Sequence, residues 1–255
     1  MQFKILFLLA LMLNCQILLA KELVVISDLD ETIRIANIEH KMRAGLKLIA
    51  GVKPYEGLRI IFNQIKARNP DVKFYYLSNS YPFLYKGDKW TEENGFPEGK
   101  SFQRCLKDKS TEFKPKILKE IAAAHPDASF LMFGDNVEHD PEFYREFLAE
   151  SQIMDVQVFI RDARLVFTQE PNMTYFQTEA QITDDLYMSE EATQAVQKLA
   201  FNELVPRFLL KNLKKRLIDE CKTGLGSCEE AAERRVLEVI DLLRPRSQEL
   251  ALQED

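Results

Sequence analysis

Glycine is scarce in this 255-residue chain: there are nine, and none sits in a GxxxxGK[ST] or GxGxxG arrangement. Loops that cradle a nucleotide phosphate are therefore unsupported. Three scattered histidines offer neither a zinc cluster nor a Ser-His-Asp order. Four cysteines without a CxxC pair give no zinc or dithiol redox motif. Positive charge is not in excess either, since the formal net charge is -6, and that argues against a nucleic-acid binder, whose footprint is basic. The longest apolar run, Ile5 to Ala20, is broken by Asn14, Cys15 and Gln16. It falls short of the about twenty apolar residues that a membrane span needs. What remains is ordinary globular material, 46% hydrophobic and 29% charged, enough for one sizeable core plus an accessory element.

That apolar run follows a lone positive charge at Lys4, the layout of a secretory leader. It predicts a signal peptide over residues 1–20, cleaved after Ala20 despite the bulky Leu18, and a periplasmic or secreted protein. Cys15 raises a lipoprotein reading, which Met12-Leu13-Asn14 disfavours for want of small residues. An oxidising compartment permits disulfides. Cys221 and Cys228 bracket a glycine-bearing turn and are candidates for a short staple, with free thiols as the alternative and Cys105 left over.

From residue 21 to 165 the pattern alternates strand with helix. Val24 to Ile26 is a β-branched strand. Tyr55 to Ala67 carries Leu58, Ile61, Phe62 and Ile65 at helical spacing. Further strands are expected at Val72–Leu77, more weakly at Ser101–Leu106, then at Ser129–Phe133 and Val156–Ile160. Helices are expected over Lys114–Ala124 and after Asp140, which could cap it. The alternation predicts an α/β fold, a Rossmann-like three-layer sandwich around a mainly parallel five-stranded sheet. Beyond Arg164 the strand signal fades, and residues 166–255 read as an appended helical region. Ser189 caps a long pattern kinked by Pro206, and a last helix runs from Glu229 to Leu243.

The first strand ends in Ser27-Asp28-Leu29-Asp30-Glu31-Thr32. In extended chain Asp28 and Asp30 point to one side and Leu29 to the other. Two such carboxylates repel, which favours a hard divalent cation such as Mg2+ between them. Read alone, the same residues serve as well as a polar strand end and helix cap. A calcium loop is excluded: Asp28, Asp30, Thr32 and Glu39 have its spacing, but Ile33 stands where the loop needs glycine.

Other strand ends are polar too. Ser78 and Asn79 follow the second strand, and Asp135, Asn136 and Asp140 follow the fourth. Parallel strands bring such ends to one edge, where ligands of α/β sheets bind. Lys114 adds a cation, with Lys116 as a nearby rival. Carboxylates, a hydroxyl and a cation suit phosphoryl transfer, in which negative charge must be met by metal and cationic donors. Asp28 would attack phosphorus and Asp30 would handle protons. Mg2+ would lie on Asp28, the Asp30 carbonyl and Asp135. Separately, each residue also has a plain structural reading as a cap or surface charge.

DLDET, YLSNS, Lys114 and GDNVEHD, in this order, resemble the signature of the haloacid dehalogenase superfamily. The longer YLSNSYPFLY and FGDNVEHDPEFY, with Ile160-Arg161-Asp162, resemble the phosphatidate phosphatase catalytic-domain family first associated with actin-patch proteins. The resemblance spans roughly Leu23 to Arg164. It implies Asp28 as nucleophile and Asp30 as general acid/base, with Thr32, Ser78, Asn79 and Lys114 around the phosphate. It further implies Asp135 as a Mg2+ ligand and Asn136 and Asp140 as supporting residues. Two departures bear on substrate: Phe113 precedes the lysine where the family usually has His, and Tyr81-Pro82-Phe83 replaces a Pro-Trp.

The expectation is a Mg2+-dependent phosphomonoester hydrolase acting through an aspartyl-phosphate. Phosphatidate or a related phospholipid is the substrate that the resemblance suggests. A soluble small phosphate ester is the alternative, as is a non-catalytic module that binds phosphorylated head groups. Tyr81, Phe83 and Tyr85 could meet an acyl chain, and Lys211, Lys214, Lys215 and Arg216 an anionic membrane surface. Packing and a solvated helix face are the plainer readings of both sets.

Overall fold

The computed structural model describes residues 21–36, 52–163 and 170–201. The 1–20 leader, the Cys221 and Cys228 pair, the Lys211 to Arg216 basic cluster, the Pro206 kink and the Glu229 to Leu243 helix lie outside the described residues.

Strand β1 (Leu23–Asp28) is followed by helix α1 (Glu56–Arg68), β2 (Lys73–Ser78), α2 (Gly87–Glu93), β3 (Lys100–Gln103) and α3 (Ser110–Ala124). Then come β4 (Ser129–Asp135), α4 (Asp140–Glu150), β5 (Val156–Arg161), β6 (Thr174–Phe176), a 3-10 turn (Glu179–Ile182) and α5 (Glu190–Leu199). The strands form one six-stranded sheet in the order β3-β2-β1-β4-β5-β6, with every pair parallel. None of the helices among the described residues is long and apolar enough to cross a membrane.

Period-two alternation builds the layers. Val25, Phe74, Tyr76, Phe133 and Phe159 face a core completed by α1, the 3-10 turn and α5. Val24, Ile26, Leu77, Phe130, Met132 and Val158 face a second core under α3 and α4. Helix α1 buries Leu58, Ile61, Phe62 and Ile65, and its charges complement the helix dipole, with Glu56 first and Lys66 and Arg68 last.

The five expected strands stand at their places, each within a few residues of its expected ends, and a sixth joins them. β6 is three residues long, too short for a period-two signal. Its Tyr175 and Phe176 nevertheless fill opposite cores. The sheet therefore runs past residue 165, and the described part of the C-terminal region is not wholly helical. Ser189 caps α5 as expected, its hydroxyl accepting from the Ala192 N–H at 3.3 Å. Helix α3 starts at Ser110, about one turn before Lys114, with Glu112 in its first turn paired to Lys109. Lys114 thus sits inside the helix, on the buried stripe with Phe113, Ile117, Leu118 and Ile121.

Candidate active site

The carboxyl ends of β1, β2, β4 and β5 share one edge of the sheet. Asp28 closes β1 on the face of Val24 and Ile26, the side covered by α3 and α4. From α3, Lys114 Nζ donates to Asp28 Oδ1 at 2.7 Å and to Asp140 Oδ1 at 2.5 Å, with all three side chains buried. Asp140 opens α4 without capping it; its Oδ2 accepts from the Asp135 N–H at 3.4 Å. Asp135 closes β4, with Oδ1 accepting from the Val137 N–H at 2.6 Å and Oδ2 from the Thr32 hydroxyl at 3.2 Å.

One oxygen from each of Asp28, Asp135 and Asp140 lies within 4.8 Å of the others. Burial pushes the Asp28 carboxyl well above the usual carboxylate range; Lys114 opposes this, while Asp140, Asp135 and, least, Asp30 add to it. Asp135 is pushed up to about 8 by burial and then by Asp140. For Lys114 burial acts downward, but Asp140 and Asp28 outweigh it and hold the ammonium well above its ordinary value.

Asp30 engages a different set of partners. The chain turns after β1: the Ile33 and Arg34 N–H groups both donate to the Leu29 carbonyl, and Glu31 takes a positive φ of 64°. This turn, which a reading of continuous extended chain misses, puts the Asp30 carboxylate among Arg34, Ser78, Ser80 and Tyr85. The repulsion expected between Asp28 and Asp30 is accordingly weaker than that between Asp28 and Asp140 or Asp135.

Ser78 ends β2 and donates to Asp30 Oδ2 at 2.9 Å, while its oxygen also accepts from the Ser80 N–H, so it serves both the turn and the site. Asn79 Nδ2 donates to Glu138 at 3.1 Å, which ties the β2 loop to the β4 loop. Asn136 Nδ2 donates to Asp162 at 2.6 Å, tying the β4 loop to the end of β5. Lys116 points outward, its side chain 73% exposed beside Glu120, so Lys114 is the lysine of the site. His139 is exposed near Glu142.

Sequence reasoning missed the parts played by four further residues. Ser80, Tyr85 and Glu138 lie within the quoted motifs without a role assigned from them to the site, and Arg34 lies outside every motif; a loop residue's partners have no sequence pattern of their own. Tyr85 departs from the expected acyl-chain aromatic: its hydroxyl is on Asp30 and its ring lies under Arg34 at 3.8 Å. Tyr81 and Phe83 do stack on each other at 5.3 Å. At the end of β5, Arg161 donates to the Thr32 carbonyl at 3.2 Å and pairs with buried Glu179 at 2.6 Å.

The donors present fit a hard divalent cation. They are carboxylate oxygens, three acids cluster where Lys114 pairs with two of them, and among the described residues Asp28 Oδ2 is buried without a hydrogen-bond partner. The grouping takes in the Asp140 carboxylate beside those of Asp28 and Asp135, and not that of Asp30.

Two solved structures of the class C acid phosphatase from Bacillus anthracis are similar. The one with tungstate bound shares 20% identity over 55% of this chain and 65% of that chain, with a TM-score of 0.37. The other shares 16% identity over 78% of this chain and 85% of that chain, with a TM-score of 0.35. No curated protein matches the chain. The family model described as phosphatidate phosphatase APP1, catalytic domain, matches residues 23–162, from β1 to the end of β5. The chain therefore belongs to the phosphatidate phosphatase APP1 catalytic-domain family.

Proposed function

We propose that this protein is an exported, Mg2+-dependent phosphomonoester hydrolase that works through an aspartyl-phosphate on Asp28. The observation that carries the reading is the state of Asp28 at the end of β1: Oδ1 is fixed by Lys114, while Oδ2 is buried with no partner among the described residues. Oδ2 forms a bond to phosphorus as the bond from phosphorus to the leaving oxygen breaks, and Asp30 gives that oxygen its proton. Asp30 then takes a proton from the water that attacks the phosphoryl-Asp28, which releases inorganic phosphate and restores both carboxyls. Lys114 orients the nucleophile, and Thr32 keeps Asp135 in place. Held by the Asp28, Asp135 and Asp140 group, with the Asp30 carbonyl as a further donor, Mg2+ would offset the charge of nucleophile and phosphate.

A phospholipid phosphate is the favoured substrate, since the matching family is described as a phosphatidate phosphatase. The loop after β2 supports it with apolar surface beside the site: Phe83 is 71% exposed, stacked on Tyr81 and followed by exposed Leu84. Export rests on the leader pattern of residues 1–20 alone.

Purified protein with Mg2+, assayed on vesicle-borne phosphatidate, glycerol phosphate and an aryl phosphate, tests the proposal. Phosphate release from phosphatidate, lost in Asp28→Asn by about a thousandfold or more, is expected. Release confined to the soluble esters would remove the lipid assignment. No release above Asp28→Asn anywhere would leave a binding module.

A further inference from the structure

We infer that Arg34 and Tyr85 are positioning residues that fix the Asp30 carboxylate for proton transfer; the inference rests on the phosphatase reading above. Arg34 is among the largest fully buried side chains, and a buried guanidinium is costly unless paired. Its Nη1 donates to Asp30 Oδ1 at 2.5 Å, and its Cζ lies over the Tyr85 ring, 3.8 Å from the ring centroid. The Tyr85 hydroxyl donates in turn to Asp30 Oδ2 at 2.8 Å. Carboxylate, guanidinium and phenol thus close a ring of contacts.

Ser78 and Ser80 complete it, each donating to Oδ2 at 2.9 Å. Among the described residues Oδ2 thus carries three hydroxyl donors and Oδ1 only Arg34, which leaves Oδ1 the oxygen with lone-pair capacity for a substrate. Arg34 is itself pinned to the turn that bears Asp30: its N–H donates to the Leu29 carbonyl at 2.9 Å, and its carbonyl accepts from the Glu31 N–H at 2.8 Å. A lysine could not both pair and stack in this way, because only the planar guanidinium does both. Geometry of this kind matters to rate, since misplacing a reacting group by about 1 Å costs on the order of a hundredfold.

The test is a double-mutant cycle on an alkyl phosphate, whose leaving oxygen needs a proton. Tyr85→Phe keeps the ring under Arg34 and removes one donor; it should lower kcat about tenfold with KM within about twofold. Arg34→Gln should lower kcat about a hundredfold. In an Asp30→Asn background neither change should move kcat by more than about twofold, because the residue they act through is gone. Equal losses in both backgrounds, or no loss beside intact Asp30, would overturn the inference. If wild-type protein released no phosphate at all, the phosphatase reading would fail, and crystal structures of the wild type, Tyr85→Phe and Arg34→Gln would still judge the geometry. An Asp30 carboxylate swung off Ser78 and Ser80 in the variants upholds it; an unmoved one overturns it.

Discussion

Lys114 stands between two buried carboxylates, and its removal would leave Asp28 and Asp140 without a counter-charge. Breaking a buried pair from one side costs about 3–5 kcal/mol. Lys114→Met should therefore lower stability by about that much in urea titration of the metal-free protein, and an unchanged midpoint would refute the pairing. Proton balance gives a second expectation. Metal-free, folded protein keeps a proton on Asp135 up to about pH 8, whereas the unfolded chain releases it near the ordinary value of about 4. Between these limits the folded state holds the extra proton. The contribution of Asp135 is thus full below about pH 4 and is lost as pH rises towards about 8. A cation requires the ionised form. The rise in Tm caused by Mg2+ should then grow from about pH 5.5 to about pH 8 and grow less steeply in Asp135→Asn, where Asp28 and Asp140 remain raised. A shift independent of pH in the wild type would count against Asp135 as a ligand. At this scale Asp28, Asp30, Ser78, Lys114, Asp135 and Asp140 were legible because they end strands or sit in spaced motifs. Arg34 and Tyr85 were not, since their roles depend on which loops the fold brings together.

Elements place these residues by close contact. A Cβ on Gly134 would lie 2.8 Å from Tyr144 Cε2 and 2.9 Å from Asp140 Cβ, so β4 and α4 meet where only glycine fits. Gly134→Ala should push Asp140 from Lys114, with a stability loss of about 1–3 kcal/mol and a matching loss of turnover. Full activity and Tm in that variant would show that the contact is slack. The loop after β2 makes a separate prediction: Phe83→Ser should cut turnover of vesicle-borne phosphatidate by about tenfold or more and leave a soluble ester within about twofold. Equal effects on both would remove the loop from lipid contact. Five strands, α1 and the Ser189 cap of α5 could be read from period and capping chemistry. The weak points were short: α2 and β6 have too few residues for a period to show, and α3 starts a turn early.

Across the whole molecule, the family match stops at Asp162, yet the fold does not. β6 extends the sheet, α5 packs on α1, and Glu179 enters the core to pair with Arg161, which also binds the Thr32 carbonyl. A chain ending at Ala163 should lose cooperative unfolding followed by circular dichroism, because Phe159, Leu58 and Val25 lose their cover and Arg161 its partner. Cooperative unfolding retained by that fragment would show that the segment from 170 to 201 is a mere appendage. By itself the sequence determined the α/β alternation, the parallel sheet and the strand-end acids, because hydrophobic period and short motifs are local and survive in one dimension. Only the tertiary structure decided that Asp28 and Asp30 serve separate clusters, that Lys114 bridges Asp28 and Asp140, and that Arg34 and Tyr85 hold Asp30. Those facts depend on a turn at Glu31 and on contacts between residues far apart in the chain, and burial, which sets their strength, exists only once the layers close.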